Sequence, residues 1–202
     1  VPALPVPPPF TVKHAPNPIL VDGRIAPGEW PDPEMTLQHQ PNRTRIAGTP
    51  GTARLCLRGT MLHIAVTIPI KNAEGLKRGS SWGQDDGIEV CFVDAKGASP
   101  TSSFTLHGFC GGAAESVTDG GASADAAARL GKAVRYAATV SRTSWTGEWA
   151  IPLEAADVTP SPGMTLAFNL CVHRSESREW ILWTGTHGTA WQLENAGTIV
   201  LE

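Results

Sequence analysis

The sequence predicts an all-β protein: a two-sheet antiparallel β-sandwich of roughly nine to eleven strands, with a proline-rich N-terminal extension. Short segments of alternating apolar and polar residues follow one another along the chain, and this period of two is typical of strands with one buried face. Glycine and proline supply 21 and 17 of the 202 residues, and turn-forming residues recur at sandwich-like spacing. No segment indicates a helix longer than two turns.

The composition excludes several classes of function. The formal net charge is -3 and charged residues make up 17% of the chain, so no basic surplus is available to bind nucleic-acid phosphates. No apolar run approaches the length of a membrane span, which argues against a membrane partner. Seven tryptophans, many turns and few charges favour an extracellular, cell-surface or periplasmic module over a cytosolic helical enzyme.

The N-terminal segment differs in composition from the rest of the chain. Residues 1–18 contain seven prolines, which predicts an extended linker or a strap over the surface. We therefore expect one sandwich domain over residues 19–202, tethered to a neighbouring domain in a longer chain. Within its first segment, Asp22-Gly23 supplies a turn and Trp30 is interpreted as an anchor of the core.

The first strands are predicted from two alternating segments. Residues 53–57 and 61–70 alternate on either side of the turn Arg58-Gly59-Thr60, which indicates a β-hairpin. In the stretch of residues 80–94, a loop containing Trp82 delivers Asp85 and Asp86 into a strand. In that strand Ile88, Val90 and Phe92 alternate with Glu89, Cys91 and Val93.

Later segments complete the predicted sandwich. The alternating segments are residues 102–112, 131–142, 145–153 and 164–174, followed by strands near the C-terminus. Trp145 and Trp149 share strand parity, which predicts that Trp149 lies in the core. Residues 113–130 are rich in small residues and are expected to form a mobile excursion or one short helix over residues 125–130. The cysteines Cys56, Cys91, Cys110 and Cys171 form no C-x-x-C pair, so free thiols and disulfides both stay open.

The order of these motifs resembles the family 9 carbohydrate-binding modules and the related family-9-like β-sandwich domains. The resemblance covers nearly the whole chain from about Ile19 and is moderately specific, because each motif is short but all occur in the family's order. The matching residues are Val21-Asp22-Gly23, Glu29-Trp30, the hairpin at 53–68, Trp82, Asp86-Gly87-Ile88-Glu89-Val90, Tyr136, Trp145, Glu148, Ala150-Ile151-Pro152-Leu153, Phe168-Asn169, Arg174, Trp183 and Gly197-Thr198-Ile199-Val200.

The resemblance implies a non-catalytic domain that binds the end of a polysaccharide or oligosaccharide, with calcium bound in structural positions. Family members clamp a terminal sugar between two tryptophans. Trp82 matches the first of these and Trp183 the second, with Trp180 or Trp191 as substitutes for Trp183. Asp86, Glu89, Asn169 and Arg174 match the positions that hydrogen-bond to sugar hydroxyls.

The residues leave alternatives open. Asp85, Asp86 and Glu89 could hold calcium, or form a solvated acidic turn. Catalysis is not predicted, because no nucleophile, zinc or phosphate-loop motif is present. A structural docking domain without a sugar site is the second function considered. The third is a haem-binding electron-transfer sandwich, with axial ligands drawn from Met61, Met164, His63, His107 and His173.

Overall fold

The fold is described from a computed structural model, which covers residues 4–96 and 102–202. Its described part contains twelve strands, one α-helix and two short 3-10 turns. The strands are β1 (Phe10–His14), β2 (Met35–Leu37), β3 (Gly51–Arg58), β4 (Met61–Pro69), β5 (Gly87–Asp94), β6 (Phe104–Phe109), β7 (Ala114–Val117), β8 (Arg135–Val140), β9 (Ser144–Pro152), β10 (Thr165–Arg174), β11 (Glu179–Leu182) and β12 (Gly197–Leu201). The helix is α1 (Ala124–Ala133), and the 3-10 turns are Leu153–Ala156 and Leu193–Asn195.

The strands form two sheets that face each other, which confirms the predicted sandwich. The first sheet has the order β7-β6-β5-β10-β12, with β11 also paired to β10. The second has the order β3-β4-β9-β8, with β2 paired to β3. The predicted hairpin of β3 and β4 turns at Gly59, whose φ of 57° lies in the left-handed region that glycine adopts readily.

Strand β1 joins the two sheets and departs from the antiparallel prediction. Phe10, Thr11 and Val12 pair in parallel with β12 of the first sheet. Lys13 and His14 pair in parallel with β3 of the second. Val12 is fully buried. The segment predicted as a linker or surface strap therefore contributes a core strand, and the domain extends to the N-terminal side of residue 19.

Helix α1 is longer than the sequence analysis predicted. It starts at the N-cap Ser123, whose hydroxyl accepts the Ala126 N–H, and it buries Ala127 and Leu130. Its alanines favour a helix strongly enough to continue through Gly131 to Ala133. The strand predicted from residue 131 consequently begins at Arg135.

The core fills the space between the sheets and contains the largest apolar side chains. Trp145 and Trp149 are 1% and 0% exposed, which confirms the parity prediction. Trp30 is also buried, as expected of an anchor. All four cysteines are free and buried. No helix within residues 4–96 and 102–202 combines the length and apolar character needed to cross a bilayer.

Candidate functional site

The outer face of the first sheet carries polar and aromatic residues in two adjacent rows. Strand register places Glu115, His107, Glu89, Cys171 and Leu182 side by side in the first row, across β7, β6, β5, β10 and β11. The second row consists of Phe109, Gly87, His173 and Trp180. Directly paired residues point to the same face of a sheet, so these two rows form one continuous surface.

Trp82 lies on this surface because two acidic residues of the loop before β5 fix the loop's conformation through hydrogen bonds to its backbone. The Asp85 carboxylate accepts the Ser81 N–H, and Asp86 accepts the Lys77 N–H. The indole stacks on the His107 ring, with 4.3 Å between centroids and 12° between planes. Gly87 beneath it permits this approach, since a Cβ there would lie 3.1 Å from the indole.

A second tryptophan, Trp180, faces the first. Its ring centroid lies 5.4 Å from that of Trp82, and the two planes meet at 66°. Trp180 packs on His173, with 4.5 Å between centroids. His173 Nδ1 donates to the Asp85 carbonyl at 2.8 Å. Trp82 therefore packs on the buried His107, and Trp180 packs on the buried His173.

These tryptophans open onto a cavity of about 230 Å³, here called the aromatic cavity. Its lining residues are Pro41, Trp82, Glu89, Cys171, Trp180, Leu182, Gly188, Thr189, Ala190 and Trp191. Glu89 supplies the only carboxylate of this lining and is 3% exposed. A hydrogen bond of 2.9 Å joins Glu89 Oε2 to His107 Nε2. The cavity thus combines three indoles with one buried carboxylate.

Trp183, predicted as the second stacking residue, does not line this cavity. It is 5% exposed and packs against Phe168, with 6.0 Å between ring centroids. A Cβ at Gly197 would lie 2.6 Å from the indole, so the strand passes directly against the ring. Trp183 is therefore placed in the core, and both named substitutes, Trp180 and Trp191, are placed at the cavity.

Asn169 is fully buried, and its side chain is occupied by protein partners. Its Nδ2 donates to the carbonyls of Thr184 and Ala190 at 2.9 and 3.3 Å. Its Oδ1 accepts the N–H groups of Thr184 and Leu170 at 3.1 and 3.0 Å. This residue fixes the loop of residues 184–190, which carries part of the cavity wall.

Asp86 and Arg174 lie at a different, larger cavity of about 610 Å³. Asp86 accepts the Ser175 N–H at 3.1 Å and is also bonded to the Ser175 hydroxyl. Arg174 Nη2 donates to the Thr49 carbonyl at 2.6 Å, and burial lowers the pKa of its guanidinium. The lining of this cavity contains no aromatic residue. Of the six predicted site residues, Trp82 and Glu89 are the two that line the aromatic cavity.

The acidic residues around Trp82 do not converge on a cation position. The carboxylates of Asp85, Asp86 and Glu89 each bind a different protein group. In the described ranges, no group of three or more His, Cys, Asp or Glu side chains is arranged to hold a metal ion. These carboxylates therefore do not fit the calcium site considered for them.

Each histidine considered as a haem ligand lies against a tryptophan ring of the protein. His107 and His173 pack on the two cavity tryptophans. His63 is buried near Trp30, and its burial, together with the charge of Arg135, lowers the pKa of its imidazole to about 4.

Sequence reasoning missed His107 and His173 as members of the site. Both belong to alternating segments, where parity indicates a face but not a neighbour. Their place beside the tryptophans depends on the pairing of β5 with β6 and β10. One sequence signal was available: Asn169, Cys171 and His173 occupy every second position of one predicted strand, so they lie on the same face of the sheet.

The comparisons with known proteins agree with this architecture. The family model described as "Carbohydrate family 9 binding domain-like" matches residues 21–202. A family 9 carbohydrate-binding module from Caldicellulosiruptor kristjanssonii, solved in complex with cellotriose, is similar with a TM-score of 0.70 and 13% identity, over 96% of this chain and 93% of that one. A module of the same family and organism in complex with glucose has a TM-score of 0.68 and 15% identity, with 95% of each chain covered. No curated protein matches the sequence. The structural matches show a shared fold, and the match over residues 21–202 shows that this chain belongs to the carbohydrate family 9 binding domain-like family.

Proposed function

We propose that the chain is a non-catalytic module that binds the end of a polysaccharide or oligosaccharide in the aromatic cavity. The observation that carries this proposal is the arrangement of Trp82, Trp180 and Trp191 around the buried carboxylate of Glu89. A pyranose has an apolar face of C–H bonds and a rim of hydroxyls. Indole rings match the first, and a carboxylate accepts hydrogen bonds from the second.

The shape of the cavity supports a short ligand end. Its volume of about 230 Å³ is below the range of about 300–1,000 Å³ typical of sites for drug-sized ligands. Because Trp82 and Trp180 meet at 66°, a sugar would lie flat on one indole and meet the other at an angle. This differs from a clamp of two parallel rings.

The available interactions are sufficient for useful affinity. A hydrogen bond to a charged group contributes about 1.5–3 kcal/mol, and each indole adds a large apolar contact area. After ordering costs, two such stacking contacts and one or two hydrogen bonds are compatible with micromolar binding, about -8 kcal/mol. No catalytic group is needed for this role.

The ligands of the structural neighbours suggest the first compounds to test. Those modules were solved with cellotriose and with glucose, so we propose gluco-oligosaccharides as candidate ligands for this chain. We also propose that the module is exported and holds a polysaccharide near a neighbouring domain. Structural calcium stays part of the proposal, at positions other than the acidic residues beside Trp82.

The test is a titration of intrinsic tryptophan fluorescence with glucose, cellobiose, cellotriose and xylobiose, with and without calcium. Trp180→Ala should weaken binding at least about tenfold while the protein stays folded, because it removes a stacking surface at the cavity. Trp183→Phe is the matched control and should retain affinity while lowering stability. Normal binding by Trp180→Ala, or loss of binding in a folded Trp183→Phe, would contradict the proposed site. A flat response to every sugar would favour the docking-domain alternative.

A further inference from the structure

We infer that Arg43 is a positioning residue for the aromatic cavity: its guanidinium joins the two ends of a loop that forms one wall of the cavity, and so holds Trp191 in place before a ligand arrives. This loop, residues 185–195, is here called the cavity loop. The inference rests on the proposed function where sugar affinity is the readout. Its structural part, the order of the cavity loop, is testable without a ligand.

The cavity loop depends on support from other parts of the chain. The cavity lining takes four residues from it: Gly188, Thr189, Ala190 and Trp191. Residues 185–192, all within the described part of the chain, belong to no helix or strand, and the loop ends in the 3-10 turn Leu193–Asn195. A segment without the hydrogen bonds of a sheet keeps one conformation where other groups bind its backbone. The position of Trp191 therefore depends on contacts that neighbouring segments make to the loop.

Arg43 makes such contacts at both ends of the cavity loop. Its Nε donates to the Gly185 carbonyl at 2.6 Å, and its Nη2 donates to the Asn195 carbonyl at 2.7 Å. Both hydrogen bonds are short and have a charged donor, and the planar guanidinium fixes the separation of the two carbonyls. Asn195 is the last residue of its 3-10 turn, where carbonyls lack partners within the turn and a cation is favourable. One side chain thus ties the beginning of the loop to its end.

The backbone around Arg43 lies directly against the beginning of the cavity loop. A Cβ at Gly185 would lie 2.6 Å from the Arg43 backbone nitrogen, so this close approach requires glycine. The Gly185 N–H donates to His39 Nδ1 at 3.1 Å, and the His187 N–H donates to the Pro41 carbonyl at 2.7 Å. Pro41 itself lines the aromatic cavity. The two segments therefore meet in one hydrogen-bonded junction at the cavity wall.

Two residues of this junction have left-handed backbone conformations. The φ angle is 64° at Arg43 and 65° at His187, in a region that residues other than glycine enter infrequently. Such conformations persist where the surrounding contacts determine the backbone. The junction is therefore held by its hydrogen bonds rather than by the local preference of the chain. We expect it to loosen when the Arg43 side chain is removed.

Other contacts hold the middle of the cavity loop. Asn169 Nδ2 donates to the Ala190 carbonyl at 3.3 Å, and Ser103 Oγ donates to the Trp191 carbonyl at 3.3 Å. Both donors are neutral and both distances are longer than those of Arg43, so these hydrogen bonds are weaker. Loss of the guanidinium should therefore increase the motion of the loop while the sheet beneath it stays folded.

A looser cavity loop weakens binding because the ligand must then order it. A sugar that contacts Trp191 has to fix the loop as it binds, and the conformational entropy lost in this step reduces the affinity. We expect the affinity for cellobiose to fall roughly three- to tenfold, the effect of immobilising about one additional large side chain on binding. The protein should stay folded, because the hydrogen bonds that are lost lie outside the two sheets.

The experiment compares Arg43→Asn with Arg129→Asn. Asparagine enters the left-handed region more readily than most residues, so it removes the guanidinium without adding backbone strain at position 43. Arg129 is the matched control, because its Nε also donates to a loop carbonyl, that of Ala155, at 2.9 Å. The described lining of the aromatic cavity contains neither of these two residues. Arg129→Asn should keep the wild-type affinity for cellobiose, and equal affinities of the two folded variants would overturn the inference.

A ligand-free measurement separates this inference from the proposed function. Amide hydrogen exchange, followed residue by residue by nuclear magnetic resonance, reports the opening of the cavity loop. The amides of His187 and Gln192, which donate within the loop and its junction, should exchange at least about tenfold faster in Arg43→Asn. The Ile64 amide in β4 should keep its rate. Val12→Ala, which removes buried methyl groups far from the loop, should leave the loop rates unchanged.

The two readouts fail in different ways. Faster loop exchange in Arg43→Asn would support the inference even if no sugar binds, in which case the proposed function alone would be refuted. Unchanged loop exchange in Arg43→Asn would overturn the inference whatever the sugars do. Equally fast loop exchange in Val12→Ala would also overturn it, because the loop would then respond to global stability rather than to the guanidinium.

Discussion

The replacement Asn169→Ala distinguishes a ligand contact from a structural one. The sequence analysis assigned Asn169 to sugar binding, but its side chain is fully buried and bonded to the protein. Alanine would remove four hydrogen bonds and leave the backbone groups of Leu170, Thr184 and Ala190 without that partner. We therefore expect a loss of stability rather than a specific loss of binding.

The magnitude follows from those four bonds. Each intramolecular hydrogen bond contributes about 0.5–1.5 kcal/mol, so four give roughly 2–6 kcal/mol. Water can enter near the loop and recover part of this, which makes about 3 kcal/mol a reasonable expectation. For a domain of this size, that loss corresponds to a Tm reduction of roughly 6–12 °C.

Urea unfolding followed by far-ultraviolet circular dichroism measures the free energy, and thermal melting measures the Tm. Asn17→Ala is a suitable control because Asn17 is exposed, and it should leave both quantities nearly unchanged. Affinity is then measured at a temperature where both variants are folded. If Asn169→Ala melts with the wild type but no longer binds sugar, the reasoning is refuted and Asn169 contacts the ligand.

Two further predictions concern β1 and a buried carboxylate. Val12→Ala should destabilise the protein by about 2 kcal/mol, because it removes buried methyl groups. Val6→Ala in the same segment should have little effect in the same urea measurement, since Val6 is 43% exposed. Equal effects of the two replacements would argue against a core strand. Burial of Glu148, opposed by its backbone hydrogen bonds, raises the pKa of its carboxyl from the ordinary 4.5. The raised pKa means that the folded protein binds this proton more tightly than the unfolded chain does. The resulting stabilisation is fully present below about pH 4.5 and is lost as the pH rises through the folded-state pKa of Glu148. Glu148→Gln should therefore gain stability relative to the wild type as the pH rises through the range above about 4.5. A constant difference across that range would contradict this.

Much of the fold could be predicted because strand alternation is a local property of the sequence. The hairpin of β3 and β4 and the burial of Trp149 both follow from parity. The place of β1 could not be predicted in the same way, because five residues among prolines carry little periodic signal. Their pairing with β12 and β3 joins the two ends of the chain. Such long-range pairing becomes visible only when the sheets are assembled.

At the site too, alternation along a strand could be predicted from the sequence, whereas the pairing of one strand with the next could not. Trp180 and Trp183 are three residues apart, so alternation along an extended strand places them on opposite faces, and only one can share the face of Glu89. The sequence alone does not choose between them. Cys171 decides it, because it pairs with Glu89 on one side and with Leu182 on the other. Leu182 therefore shares the face of Glu89, and Trp180, two residues before it, shares that face as well. The same alternation directs Trp183 into the core, where Phe168 and Gly197 enclose it.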